Sequence, residues 1–192
     1  MHSTSETPSI TNCAKKLVAV FDEERIDYMF IGGLALTAYG QIRATQDIDV
    51  AIIVKKLKNL KRLITSLVNE GFEAASTPSL KAACIYLLDR ENLVDVELWQ
   101  KPDGIRFDRD LLSRRKKANL PGNTRIWIIG PEDFIVNKLA KSDRGVQDES
   151  DAVSVLIGMK DKLDREYLDK RAEQFGVNGL LKTLETRIAS IA

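Results

Sequence analysis

Phe30-Ile31-Gly32-Gly33-Leu34-Ala35, followed a short loop later by Asp47-Ile48-Asp49-Val50, decides how the rest of the chain is read. The first stretch reads as a strand running into a glycine doublet that opens a helix. The second reads as a strand whose side chains alternate between faces, so Asp47 and Asp49 point one way while Ile48, Val50 and Ile52 point the other way, into a core. Two parallel carboxylates supply half of a magnesium site. At a strand-to-helix turn, Gly32 and Gly33 leave backbone N–H groups open to a phosphate that meets no Cβ. A solvated acidic face is the plain alternative for the two aspartates. Against it, Ala51-Ile52-Ile53 continues the strand as an apolar run, and like charges at the mouth of a buried strand are costly without a cation.

Working outward, Cys13, Leu17, Val18 and Phe21 recur at helical spacing within residues 9–26, ahead of a strand over 28–31. A short helix over 34–39 is stopped by Gly40, and the aspartate strand extends from Asp47 to Val54. Leu57, Leu60, Leu63, Ile64, Leu67 and Val68 then form one stripe of an amphipathic helix ending at Gly71. Apolar runs over 83–88 and 93–99, separated by Asp89-Arg90-Glu91-Asn92, predict an antiparallel pair, and residues 125–129 a further strand. From Pro131 the pattern is wholly helical. Pro131 suits a first helical position, Glu132 and Asp133 suit the positive helix end, and three more helices are expected at 148–159, 164–175 and 178–191. The fold class is therefore α/β (α+β): a mixed twisted sheet over residues 1–130 with a C-terminal helical bundle over 131–192. An apolar face on the last helix, Leu180, Leu181, Leu184, Ile188 and Ile191, serves a dimer as readily as a core.

Composition removes several chemistries. With 29 Lys plus Arg against 28 Asp plus Glu, net charge does not announce a nucleic-acid binder, although it leaves local patches open. Cys13 and Cys84 lack CxxC spacing and read as reduced core thiols rather than a zinc ribbon or disulfide framework. The one histidine, His2, falls in an expected frayed tail, so Ser-His-Asp, Cys-His and histidine–zinc mechanisms drop out. No GxxxxGK[ST] run is present. Met1 to Ile10 lacks an apolar core and no apolar run nears the roughly 20 residues that span a bilayer, so a soluble cytoplasmic protein without a membrane partner is expected.

In the helical part, Lys138 lies one turn beyond Phe134, near the apolar side defined by Phe134, Ile135 and Leu139, where a lysine meets an anion or snorkels outward. Asp148 falls in line with Ala152 and Val155. An internal Lys138–Asp148 salt bridge is the plain account of the two. The basic runs Lys55, Lys56, Lys58, Lys61, Arg62 and Arg114, Arg115, Lys116, Lys117 read as a wet helix face and a solvated turn, or as phosphate contacts if the acceptor is RNA.

A hydrophobic residue, Gly-Gly, a helix and then Asp-x-Asp on the next strand resembles the DNA polymerase β-like nucleotidyltransferase superfamily. Gly32 to Gly40 with Arg43-Ala44-Thr45-Gln46-Asp47-Ile48-Asp49-Val50, together with Pro131 to Leu139, Arg144 and Asp148 to Asp151, is similar to the branch of AbiEii-type toxins and small antibiotic nucleotidyltransferases. That resemblance implies a magnesium-dependent enzyme with two ions, transferring NMP from an NTP to an acceptor hydroxyl. It implies a third carboxylate: within Leu93-Val94-Asp95-Val96-Glu97, Asp95 better matches the hydrophobic-Asp-hydrophobic form and completes the catalytic and metal set with Asp47 and Asp49, with Glu97 in reserve. Gly32, Gly33, Arg43, Thr45, Lys138 and Asp148 are then the expected nucleotide contacts; for Arg43 and Thr45 a surface role is equally open. The acceptor expected from the toxin branch is tRNA, beside an antitoxin. A small drug or an inactive nucleotide-binding or partner-binding module are the alternatives.

Overall fold

In the computed structural model, which describes residues 9–41 and 45–190, the aspartate-bearing strand lies near the middle of a mixed sheet. The chain runs α1 (Ser9–Glu23), β1 (Asp27–Phe30), α2 (Gly33–Ala38), β2 (Asp47–Ile53), α3 (Leu57–Asn69), β3 (Phe72–Ala74), β4 (Cys84–Asp89), β5 (Val94–Trp99), α4 (Arg109–Arg114), β6 (Lys116–Leu120), β7 (Thr124–Ile128), α5 (Pro131–Ala140), α6 (Val146–Gly158), α7 (Arg165–Gln174) and α8 (Asn178–Ala189). The strands order as β3-β4-β5-β2-β1-β7-β6. β2 is antiparallel to β1 and parallel to β5, and β5 is antiparallel to β4. The mixed α/β class and the antiparallel hairpin are as the sequence predicts.

Packing gathers the chain into two units, one of Met1–Leu34, Ala44–Gln100 and Lys117–Ile128, the other of Ala35–Arg43, Lys101–Lys116 and Ile129–Ala192. The second thus takes in segments 35–43 and 101–116, which precede Pro131 in sequence.

In the first unit the alternation of β2 and β5 does what period-2 patterning requires. Ile48, Val50 and Ile52 of β2 and Val94, Val96 and Leu98 of β5 are buried on one side, with Leu17 and Phe21 of α1 and Leu60, Leu63 and Leu67 of α3 also in the core. The expected α3 stripe frays at its ends, where Leu57 and Val68 are exposed. Ala51 is buried on the opposite side, so β2 is covered on both faces beyond its aspartates. Asp89, at the end of β4, is fully buried and fixes the hairpin: its carboxylate accepts from the Glu91 and Asn92 N–H groups and the Asn92 amide, and pairs with Lys16 at 2.9 Å.

In the second unit α5 is buried on nearly every side, including Glu132 and Asp133 of its first turn. The residues 109–120 carry more structure than a solvated turn. Asp108 caps α4 by accepting the Leu111 N–H at 2.8 Å, and Arg114 donates to Asp164 at 2.8 Å while its guanidinium lies 3.8 Å from the Tyr167 ring centre. Both cysteines are free thiols. No helix among the described residues is long and apolar enough to cross a membrane. The expectations for His2, Arg43 and Ile191 lie outside the described residues.

Candidate active site

Parallel pairing of β2 with β5 sets Asp47 opposite Asp95 and Asp49 opposite Glu97. Paired residues share a face, so all four carboxylates lie on the side of the sheet away from Ile48, Val50, Val96 and Leu98. Asp47 and Asp95 are exposed, whereas Asp49 and Glu97 are half-buried.

The glycine doublet lies against this face for a steric reason. Neither Gly32 nor Gly33 has a positive φ. A Cβ on Gly32 would stand 1.8 Å from Asp49 Oδ2, and one on Gly33 would stand 2.5 Å from Thr45 Oγ1. Glycine is required here because the carboxylate and the hydroxyl approach the backbone directly. The Ile31 N–H donates to the Asp49 carbonyl at 3.0 Å, tying the end of β1 to the same residue. Thr45 donates to Asp47 Oδ1 at 2.9 Å and so orients that carboxylate rather than standing apart from it. Trp99 Nε1 donates to Asp49 Oδ1 at 3.3 Å.

Burial and like charge both act on Glu97. Its carboxyl is pushed up to about 7, first by burial, then by the charge of Asp49 and a hydrogen bond shared with it, then by Asp47, with Trp99 opposing. Two carboxyl groups thus meet closely enough that ionising both is costly. Among the described residues no group of three or more His, Cys, Asp or Glu side chains is placed to hold a metal ion by itself. The donor set on this face is all oxygen, which suits Mg2+, an ion usually held by one or two carboxylates together with substrate phosphates.

The second unit holds the other predicted pair in a cluster of its own. Lys138 Nζ stands 3.1 Å from Asp148 Oδ1 and 3.0 Å from Asp151 Oδ2, and Lys141 Nζ lies 3.4 Å from Asp148 Oδ1. Asp148 sits in the first turn of α6, where its Oδ2 accepts the Gly145 N–H at 3.1 Å. Burial opposes its charge, but the Gly145 N–H and the Lys138 and Lys141 ammonium groups outweigh it and hold the carboxyl below its ordinary value. The salt bridge expected as the plain account is therefore present. Its more buried acidic partner, Asp151, is one that sequence spacing alone did not single out.

A third charged cluster escaped the sequence reading. Fully buried Arg171 donates through Nε to Asp133 Oδ1 at 2.8 Å and through Nη1 to Asp108 Oδ2 at 2.7 Å, and Tyr167 donates to Asp133 Oδ2 at 2.9 Å. Arg171 Nη2 is buried without a hydrogen-bond partner. Asp133 is 38 positions from Arg171, so no local spacing announces the pair.

The fold finds counterparts among known proteins. A nucleotidyltransferase-like protein from Paracoccidioides brasiliensis aligns over 93% of both chains at 19% identity with a TM-score of 0.54. The antibiotic-resistance factor ANT(2'')-Ia aligns over 95% of this chain and 98% of its own at 15% identity, TM-score 0.58. The lincosamide antibiotic adenylyltransferase LnuA aligns over 73% of this chain and 96% of its own at 15% identity, TM-score 0.50. At these identities the likeness is one of fold. No curated protein sequence matches the chain. The family model described as "Nucleotidyltransferase of unknown function (DUF6036)" matches residues 9–184, nearly the whole length, and the chain belongs to that family of nucleotidyltransferases.

Proposed function

We propose that the chain transfers a nucleoside monophosphate from an NTP to an acceptor hydroxyl, in a reaction dependent on Mg2+. The observation that carries this reading is the meeting of Asp49 and Glu97 beside Asp47 on the sheet face against which Gly32 lies. Asp47, Asp49 and Glu97 are the residues proposed to hold the metal, two ions by the superfamily resemblance. Divalent ions at such a site supply charge neutralisation for the attacking and leaving oxygens of an in-line displacement.

In this reading Glu97 takes the place that the sequence pattern offered first to Asp95. Register puts it opposite Asp49, and a carboxyl titrating at about 7 is matched to accepting a proton at neutral pH. The acceptor oxygen bonds to the α-phosphorus, its proton passes to Glu97, and the α–β bridging bond breaks with its electrons leaving on pyrophosphate. Thr45 holds Asp47 in place, and Trp99 orients Asp49. Gly32 and Gly33 keep the backbone beside the carboxylates free of side chains. Contacts of Lys138 and Asp148, and of Arg43, with the nucleotide are proposed from the superfamily resemblance.

The AbiEii-type resemblance favours tRNA as acceptor with an antitoxin as partner. Among similar structures, LnuA is lincomycin-bound and ANT(2'')-Ia is in complex with adenylyl-2''-tobramycin. Purified protein incubated with Mg2+ and each α-labelled NTP, with total tRNA or with tobramycin, tests the reaction itself. Label transferred by the wild type and lost in Asp49→Asn supports it; nucleotide binding without transfer to any hydroxyl would leave an inactive binding module.

A further inference from the structure

We propose that the groove between the end of α6 and the end of α8 is a two-fold interface between two copies of this chain. The groove, about 490 Å3 in volume, is lined by the apolar side chains of Leu156, Ile157, Ile188 and Ala189, and by Lys160 and Asp161 of the 3-10 turn Lys160–Lys162. The apolar stripe read on the last helix divides here. Leu181 and Leu184 are buried in the core, whereas Ile188 is half-buried and lines the groove. Ile157, in the last turn of α6, is 57% exposed. Single exposed apolar residues are ordinary on protein surfaces; this one is set apart by standing in a concave apolar surface rather than alone.

The charges decide the occupant. Arg165 and Glu185, which also line the groove, are paired with each other and tie α7 to α8. Lys160 and Asp161 are both exposed, and neither has an ion-pair partner among the described residues. An amphiphilic anion seated in the groove would be drawn to Lys160 and repelled by Asp161, and a cation would meet the reverse. Only a partner carrying both signs at the same spacing satisfies the two together. A second copy carries them by construction. Adjacent residues have Cα atoms about 3.8 Å apart, so one two-fold axis beside the turn sets Lys160 against Asp161 of the partner subunit and Asp161 against Lys160 of the partner subunit. The same rotation brings Ile157 to the apolar lining of the other copy, where both surfaces lose water.

The test is sedimentation of the full chain over a concentration series at low and high salt, with circular dichroism to check that each variant is folded. Wild type should pass from monomer to dimer with rising concentration, and the dimer should weaken as salt screens the rim pairs. Each side chain of such a patch acts twice, so Ile157→Asp should weaken the dimer about 100-fold. Lys160→Asp and Asp161→Lys should each weaken it about tenfold by setting like charges together at two places, and the double exchange Lys160→Asp with Asp161→Lys should restore it. A wild type that stays monomeric up to about 100 μM, above the micromolar range in which weak interfaces assemble, overturns the inference. So does a dimer that Ile157→Asp leaves intact, or one in which the double exchange is no better than the single reversals. A monomer that binds the apolar dye anilinonaphthalene sulfonate, and loses it in Ile157→Asp, would give the groove to a small ligand and overturn the inference as well.

Discussion

Carboxylates are treated in opposite ways on the open face of the sheet and in the charged clusters of the second unit. In the first, the charges acting on Glu97 belong to Asp49 and Asp47, and the group is driven toward holding a proton. In the second, Asp148 faces Lys138 and Lys141 and is driven toward remaining ionised, while Asp133, which burial pushes up, is met by the opposite charge of Arg171. A fold that merely needed to bury acids would pair them, as it does Asp89 with Lys16 and Asp133 with Arg171. Acids set against acids hold electrostatic free energy that a cation relieves, and such arrangements gather at functional sites. The difference separates the face proposed to do chemistry from clusters that hold helices together.

The largest effects follow from cutting each kind of cluster. Asp49→Asn should reduce transfer about 1,000-fold or more while the protein stays folded, measured with labelled NTP and by circular dichroism. Unfolding of that variant instead of inactivation would make Asp49 structural and erase the contrast. Arg171→Ala should do the reverse, destabilising the chain by about 3–5 kcal/mol in urea unfolding, because Asp133 is left buried without its counter-charge. Next in size is Gly32→Ala. The added methyl must displace the Asp49 carboxylate, and a shift of about 1 Å at such a ligand is expected to lower turnover about 100-fold. Unaltered turnover would show that the approach of Gly32 to Asp49 has no catalytic consequence.

Much of this was legible in the chain, and what was not has physical reasons. Period-2 alternation announced β2, and the apolar runs either side of Asp89-Arg90-Glu91-Asn92 announced β4, β5 and the turn between them. The three-residue β3 and the charged segment that forms α4 and β6 carry too little apolar periodicity to be read. That Asp95 stands opposite Asp47 and Glu97 opposite Asp49 depends on the parallel register of two strands separated by an intervening helix and hairpin, which no local pattern encodes. Gly32 was read as room for a ligand; the structure adds that a carboxylate of the chain itself already occupies the space a side chain would take. Glu132 and Asp133 look like ordinary first-turn acids until the chain returns, 32 residues on from Glu132, with the Asp164 N–H and then with Arg171.

Lys138 sharpens the comparison from the other side. If it contacts the NTP, Lys138→Ala should raise the KM for NTP about tenfold, in line with the loss of one charge-assisted hydrogen bond. A fall in melting temperature with an unchanged KM would instead assign it wholly to the ion pairs with Asp148 and Asp151.

The smallest effect is also the most direct reading of the contrast, and it needs no substrate. Glu97 moves from an ordinary value of 4.5 to about 7 in the folded chain. Below 4.5 folded and unfolded chains both hold the proton, and the contribution to stability is complete. Between 4.5 and 7 the unfolded chain releases it while the folded one retains it, so this contribution shrinks as pH rises and is gone above 7. For Asp148, lowered from 3.8, the sign is reversed: its contribution is present above that pH and is lost as the solution is acidified. In EDTA, the melting temperature of wild type should therefore decline relative to Glu97→Gln across pH 4.5 to 7, whereas Asp148→Asn should lag behind wild type at neutral pH and converge with it in acid. Because Mg2+ favours the ionised carboxyl, adding it at pH 7.5 should raise the melting temperature of wild type more than that of Glu97→Gln. Parallel curves for wild type and Glu97→Gln, with and without Mg2+, would mean that the acids of the first unit are as well compensated as those of the second, and the distinction between the two would not hold.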